Sequence, residues 1–198
     1  MTRFGGFGGL NKLLIPILLA IFFSLLTTQS LANAEIKVTP PLNWQPSPNN
    51  NSTKMEWIQN STKSLLAIIK LPVDIAFPLF IVGPGMAQSF ADQGILESVD
   101  QVTFGHSNYG QRYFLNISSR SNIANASSST LVDIKGFLDQ MSGAYDVPFK
   151  EMLIISEKQG GLYGITLVSP RENFNSKLNE IKPTLDSIEL SNSTATVN

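Results

Sequence analysis

The side chains available for chemistry are few. The chain has one imidazole, His106, and no cysteine. A serine hydrolase would use His106 as its base, with a serine and an acid such as Asp100 completing the relay. No Gly-x-Ser-x-Gly elbow is present to hold that serine, and His106 lies in Gly105-His-Ser-Asn-Tyr-Gly110, a glycine-bounded segment of turn composition. The competing reading is a solvated turn histidine. The missing cysteines exclude disulfides, thiolate catalysis, iron–sulfur clusters and cysteine-type zinc sites. A His-type zinc site lacks partners at usable spacing, and Asp92, Glu97 and Asp100 are not set in an Asp-x-Asp-x-Asp-Gly calcium loop. Neither glycine-rich phosphate motif occurs in the chain. No catalytic residue, metal or cofactor is therefore expected.

Contact chemistry is the alternative. Val73 to Met86 (VDIAFPLFIVGPGM) is apolar yet carries Pro78, Gly83, Pro84 and Gly85, which argue against a regular helix across it. The expectation is a bent connection, then a short helix from Pro84 or Gly85 to about Gln93, with Gly94 as its stop. Phe77, Leu79, Phe80 and Ile81 either close one edge of the core or form an exposed apolar lip for a partner or a membrane surface. With His106 and Tyr109 of the glycine-bounded turn, they are the candidate binding residues.

The elements that hold these residues follow a leader. Arg3 and Lys12 precede Leu13 to Leu26, an apolar run, and Ala32-Asn33-Ala34 makes an A-x-A cleavage pattern. The apolar run spans about 21 Å as a helix, short of a hydrocarbon core of about 30 Å. Residues 1–34 are expected to be a signal peptide cleaved after Ala34, the alternative being an uncleaved N-terminal anchor. Gly5-Gly6-Phe7-Gly8-Gly9 falls in this leader and is no phosphate loop. The whole chain has a net charge of −1, and the leader would take two basic residues and no acid. An acidic body without Lys/Arg clusters has no footprint for nucleic acid. Asn50, Asn51, Asn60, Asn116, Asn125 and Asn192 head Asn-x-Ser/Thr sequons, which fit export; in a chain rich in Asn and Ser some arise by chance.

Residues 35–190 read as a single domain and 191–198 as a polar tail. Ile36 to Trp44 suggests a short edge strand stopped by two prolines, and Gln45 to Thr53 a loop. Lys54 to Ile58 and Leu65 to Leu71 form a hairpin about Asn60-Ser-Thr-Lys63. The continuous apolarity of the second strand implies cover on both faces. Leu96 to Phe104 and Arg112 to Ile117 are the next strands. Ser118 to Ser129 is a small-polar loop, and Thr130-Leu-Val-Asp133 opens a helix ending at Ser142-Gly143. Glu151 to Ser156 and Leu162 to Val168 pair about a glycine turn. Ser169 is then placed to cap a helix with Pro170 at its first position and Glu172 at its third. Phe174, Leu178, Ile181 and Leu185 form one apolar stripe, and Pro183 breaks the helix near Lys182. Hairpin spacing predominates, which predicts an α+β fold with an antiparallel sheet packed between helices.

Pro40-Pro-Leu-Asn-Trp44, the glycine turn into Gly161-Leu-Tyr-Gly-Ile-Thr-Leu167, the capped helix and Leu185-Asp-Ser-Ile-Glu-Leu190 together resemble the PsbP-like α/β/α sandwich domains. The resemblance implies an accessory or binding role, as in extrinsic lumenal subunits of photosystem II, a small-GTPase-binding nuclear import factor and exported prokaryotic proteins. It carries over no catalytic constellation. The functional expectation is a secreted or cell-surface, noncatalytic accessory domain binding a protein or small ligand, with an envelope complex as a setting. An exported hydrolase using His106 is the alternative.

Overall fold

A computed structural model describes residues 34–48, 50–71, 78–117, 147–158 and 161–192. Residues 1–33 of the expected leader, Phe77, the loop expected at 118–129, the helix expected at 130–143 and Asn125 lie outside the described residues. In chain order the elements are β1 (Ala34–Lys37), β2 (Gln45–Pro46), β3 (Lys54–Gln59), β4 (Ser64–Lys70), α1 (Leu79–Asp92), β5 (Leu96–Phe104), β6 (Asn108–Ile117), β7 (Phe149–Lys158), β8 (Gly161–Pro170), α2 (Arg171–Glu180), α3 (Lys182–Asp186) and β9 (Glu189–Asn192).

Seven strands form one antiparallel sheet in the order β2-β3-β4-β8-β7-β6-β5, and β1 pairs with β9 in a separate ribbon. After β4 the chain crosses one face of the sheet as α1 and returns strand by strand from the far edge. It closes when β8 pairs with β4, Leu65 opposite Val168. The period-two alternation of side chains divides the core. Leu162 and Val168 of β8, Leu153 and Ile155 of β7 and Tyr113 and Leu115 of β6 face α1, packing with Leu79 and Phe90. Tyr163, Ile165 and Leu167 of β8, with Met152 and Ile154 of β7, face the opposite way onto Phe174 of α2, Ile181 and Ile188. The α+β sandwich of an antiparallel sheet between helices is thus present. Central strand β8 is buried along its whole length because it has strands on both sides and packed layers on both faces.

The sequence expectations meet several corrections. The helix expected from Pro84 begins five residues earlier, at Leu79, and Pro84 sits inside it. One lost backbone bond costs a few kcal/mol at most, which the burial of Leu79 and Phe90 offsets. Its end is as expected: Gly94 has φ +69°, Ile95 N–H donates to Phe90 C=O at 3.1 Å and Gly94 N–H to Ala91 C=O at 2.9 Å, a Schellman close. Ser169 does not cap α2. It is the penultimate residue of β8, buried, with its hydroxyl 2.9 Å from that of Ser64. The N-cap position falls on Pro170, and Arg171 N–H donates to Pro148 C=O at 2.9 Å. Strand pairing with Phe149 extends β8 to Pro170 and so displaces the cap by one residue. Pro183 does break the helix, which resumes as α3 after Ile181. Ile36 joins β9 rather than the edge of the main sheet, Gln45-Pro46 of the expected loop pair with Ile58 and Trp57, and β9 runs two residues past Leu190.

Candidate interaction surface

The surface is built from the start of α1 and the β5–β6 hairpin. Pro78 cannot donate a backbone hydrogen bond, and Leu79, Phe80 and Ile81 follow as the first turn, where helix N–H groups lack intrahelical partners. Ile81 N–H uses the Pro78 carbonyl at 2.8 Å, and Leu79 N–H donates to the Glu157 carboxylate at 3.0 Å. That carboxylate stands at the positive end of the helix dipole, a favourable position for an anion. Glu157 therefore fixes the start of α1 over the end of β7. Farther along the helix, Phe90 meets Tyr113 edge-to-face at 5.5 Å, and the Tyr113 hydroxyl donates to the Gly83 carbonyl at 3.0 Å. Burial pushes the Tyr113 phenol well above its ordinary value, so it stays a donor at any physiological pH.

With α1 pinned at these points, its first-turn side chains divide. Leu79 turns into the core at 9 % exposure, whereas Phe80 and Ile81 project outward at 76 % and 55 %. Of the four apolar residues singled out in the sequence, Leu79 closes the core edge, Phe80 and Ile81 form a lip, and Phe77 is outside the described residues.

The hairpin brings the second region to the same end of the sheet. The turn is shorter than expected, since only Gly105–Ser107 lie between the strands and Asn108–Gly110 belong to β6. Gly105 has φ +55° and Ser107 φ +99°. A Cβ on Gly105 would stand 2.1 Å from the Ile188 carbonyl oxygen, which also accepts from the Asn108 side-chain amide at 2.9 Å. The hairpin end is thereby docked on the segment between α3 and β9. His106 is exposed at its tip, and among the described residues it makes no hydrogen bond or ion pair. Tyr109, at 48 % exposure, lies on β6 four residues before Tyr113 and so on the α1 face. Its carbonyl accepts from the Ser156 hydroxyl at 2.6 Å, one residue before the glutamate that holds Leu79. The start of α1 and the backbone of Tyr109 are thus both tied to the end of β7, at Glu157 and Ser156, and Val99, 40 % exposed and opposite Tyr113, continues this face to the sheet edge.

The sequons fall in different settings. Asn51 is exposed and uses its Oδ1 to bind Thr53 and Lys54 N–H, and Asn60 is exposed beside Gln45. Asn50 is half-buried and pairs both side-chain groups with the Glu56 backbone, at 3.0 and 2.7 Å. Asn116 is half-buried within β6 and accepts from Arg171, and Asn192 ends β9. Among the described residues no three His, Asp or Glu side chains gather as metal ligands.

One chemically notable group was missed from the sequence. Glu151, expected only as a strand residue, is fully buried on the α1 face between β6 and β8. The Thr166 hydroxyl donates to its Oε1 at 2.6 Å, and Oε2 has no hydrogen-bond partner among the described residues. Burial raises its carboxyl to about 7, against a smaller lowering by the Thr166 bond. Its sequence signal is the acid of Phe149-Lys-Glu-Met-Leu-Ile-Ile155, which precedes four consecutive apolar residues and shares a strand face with Leu153.

No family model matches the chain, and neither does any curated protein sequence. Among solved structures, a Bacteroides thetaiotaomicron protein matches with TM-score 0.48 at 6 % identity over 83 % of this chain, which spans only 50 % of that one. LpqN of Mycobacterium tuberculosis, described as involved in cell envelope biogenesis, gives TM-score 0.40 and 7 % identity over 82 % of this chain and 86 % of its own. The cyanobacterial PsbP of Synechocystis gives 0.42 and 9 %, over 84 % and 99 %. None of these three reaches a TM-score of 0.5, so the fold assignment rests on the sheet order and the two packed faces.

Proposed function

We propose that the chain is an exported, noncatalytic accessory domain that binds a protein partner outside the membrane through Phe80, Ile81 and Tyr109. The observation that carries the reading is the outward projection of two adjacent large apolar side chains from a helix turn that the fold pins in place. Leu42 is more exposed still, at 79 %, but is the one large exposed apolar residue of its stretch. Exposed aromatic and aliphatic side chains such as Phe80, Tyr109 and Ile81 are the residue types of protein interface cores. Export is supported by the basic, apolar and A-x-A order of residues 1–34.

The test places a photo-crosslinking residue at position 80 or at position 42 in the native cell envelope. A discrete adduct at 80, absent at 42 and lost with Ile81→Asp, is expected. Ile81→Asp should leave thermal stability within about 0.5 kcal/mol, since the side chain is exposed. Equal labelling at both positions, or an unchanged adduct in Ile81→Asp, sinks the proposal. Export is read separately by whether a C-terminal reporter is accessible outside the membrane.

A further inference from the structure

The two edges of the main sheet are built differently. β2 closes one edge with two residues ending in Pro46, and beside it the side chains of Asn50 and Asn51 take up backbone groups of Glu56 and Lys54. A very short strand and a proline are devices that keep an edge from pairing with another chain. β5 closes the other edge with nine residues, Leu96–Phe104, and has no proline and no lysine. Among the described residues no strand pairs with its outer side. Its two acids are already engaged, Asp100 by Arg112 at 2.9 Å and Glu97 by Lys150 at 2.7 Å, so the edge is close to neutral. The register tells which backbone groups point outward. Asn116 N–H donates to Ile95 C=O at 2.8 Å, across the Leu96–Leu115 pair, so that pair exchanges no hydrogen bonds of its own. Counting along β6, which has no extra residue, bonded and unbonded pairs then alternate. Asp100, Val102 and Phe104 bond to β6, and the N–H and C=O groups of Val99, Gln101 and Thr103 turn outward. Tyr109 agrees: it lies opposite Thr103, and its carbonyl accepts from Ser156 of β7 on the other side.

We infer that β5 pairs with β5 of a second copy of this chain, antiparallel about a two-fold axis at Gln101. The regular stretch between the bulge at Leu96/Ser98 and the turn at Gly105 is residues 98–104, and Gln101 is its middle residue. Centred there, Gln101 meets its own copy and Val99 meets Thr103, and the outward groups exchange about six backbone hydrogen bonds. Asp100, the one acid of the stretch, then meets Val102. A register centred on Asp100 would instead set two carboxylates opposite each other, which is unfavourable. The seam also gathers exposed apolar groups. Val99 and Tyr109, 40 % and 48 % exposed, stand on the α1 face beside it, because Val99 opposes Tyr113 and Tyr109 opposes Thr103. The second copy brings them into one cross-strand row, Tyr113 and Val99 of one copy beside Thr103 and Tyr109 of the other. A single strand pair buries less than a standard interface, so this dimer depends on concentration. The inference does not depend on the partner proposed at Phe80 and Ile81.

The experiment follows the chain as recovered from cells, Gln101→Lys, Gln101→Glu and an equimolar mixture of the two variants by sedimentation velocity over a dilution series. The native chain should pass from dimer to monomer on dilution. Each variant sets like charges across the two-fold axis and should raise the dissociation constant about fivefold or more. The mixture, which pairs lysine with glutamate, should return to the native value or below it. Position 101 is exposed, so the thermal midpoints of the three proteins should agree. Gln101→Cys gives a second reading in a chain without cysteine: oxidation should link two copies there, and Val99→Cys, opposite Thr103, should link far less. A native chain that is monomeric at every concentration overturns the inference and leaves the edge to an extended segment of another protein. A dimer that the single variants leave unchanged, a mixture that does not restore it, or equal linking at positions 99 and 101 overturns it as well, by putting the contact elsewhere.

Discussion

Glu151 gives the fold a pH dependence opposite in sign to ordinary acid unfolding. Its carboxyl is fully buried, with Thr166 on one oxygen and, among the described residues, no partner on the other, and burial raises it from 4.5 to about 7. Below pH 4.5 the group is protonated in folded and unfolded chains alike and adds no pH dependence. Between 4.5 and 7 the unfolded chain releases the proton and the folded chain keeps it, so stability falls as pH rises. Above 7 both forms are ionised and the loss is complete. A shift of this size corresponds to about 3 kcal/mol, of the order of a quarter or more of a typical domain's stability. Asp100, held low by its bond from Arg112, and Glu180, where bonds from Lys177, Trp44 and Gln59 outweigh burial, act in the other direction. Their stabilisation is lost only as pH falls through the acid range, below the Glu151 window. The assay is urea unfolding of the domain at pH 5, 6, 7 and 8, beside Glu151→Gln. The variant retains an oxygen for Thr166 and loses the titration. It should be less stable than the native chain at pH 5, by about 1–3 kcal/mol for its buried, unpartnered amide, and should close the gap by pH 8. Parallel pH curves for the two proteins would refute the reasoning.

Other perturbations test the packing that positions the surface. Gly105→Ala forces a Cβ to within 2.1 Å of the Ile188 carbonyl at a φ of +55° and should cost about 2 kcal/mol or more in chemical denaturation. An unchanged midpoint would mean that the hairpin is not docked there. Trp44→Phe removes the indole N–H that donates to Glu180 at 2.8 Å and should cost about 1–2 kcal/mol. Trp57 remains as the fluorescent reporter. His106→Ala should leave both the unfolding midpoint and the crosslink at position 80 unchanged, and loss of biological activity in that variant would revive the hydrolase alternative.

Local patterns in the chain encode much of this architecture. The continuous apolarity of Leu65 to Leu71 corresponds to a strand between two others, and Gly94 marks a helix end because only a residue tolerant of positive φ closes it cheaply. The stripe of Phe174, Leu178, Ile181 and Leu185 lies against the sheet, with Pro183 at the break. Local rules failed where distant residues decided the outcome. Ser169 has every local feature of a cap, but pairing of β8 with β7 carries the strand one residue further. Leu79 begins a helix despite the glycines and Pro84 ahead of it, because Glu157, from a strand far along the chain, supplies the acceptor its N–H needs.

The surface was legible in composition and illegible in geometry for the same reason. The apolar residues about Pro78 can be read as core edge or as lip, since periodicity cannot say which side chain faces the sheet until the helix start is fixed. That start depends on Glu157, so the division between buried Leu79 and exposed Phe80 is set by a contact 78 residues away. Tyr109 has the composition of a turn around it, yet it is a strand residue paired with Thr103 of β5, and its direction follows from the alternation that leads to Tyr113. Glu151 makes the complementary point. One acid in an apolar strand is ordinarily expected at an edge or facing solvent, and here antiparallel pairing places it between Leu115 and Val168 with both sheet faces covered. Comparing Glu151→Gln with the native chain at pH 5 and pH 8, in crosslinking at position 80 as well as in unfolding, separates a purely structural carboxyl from one that couples the core to the surface.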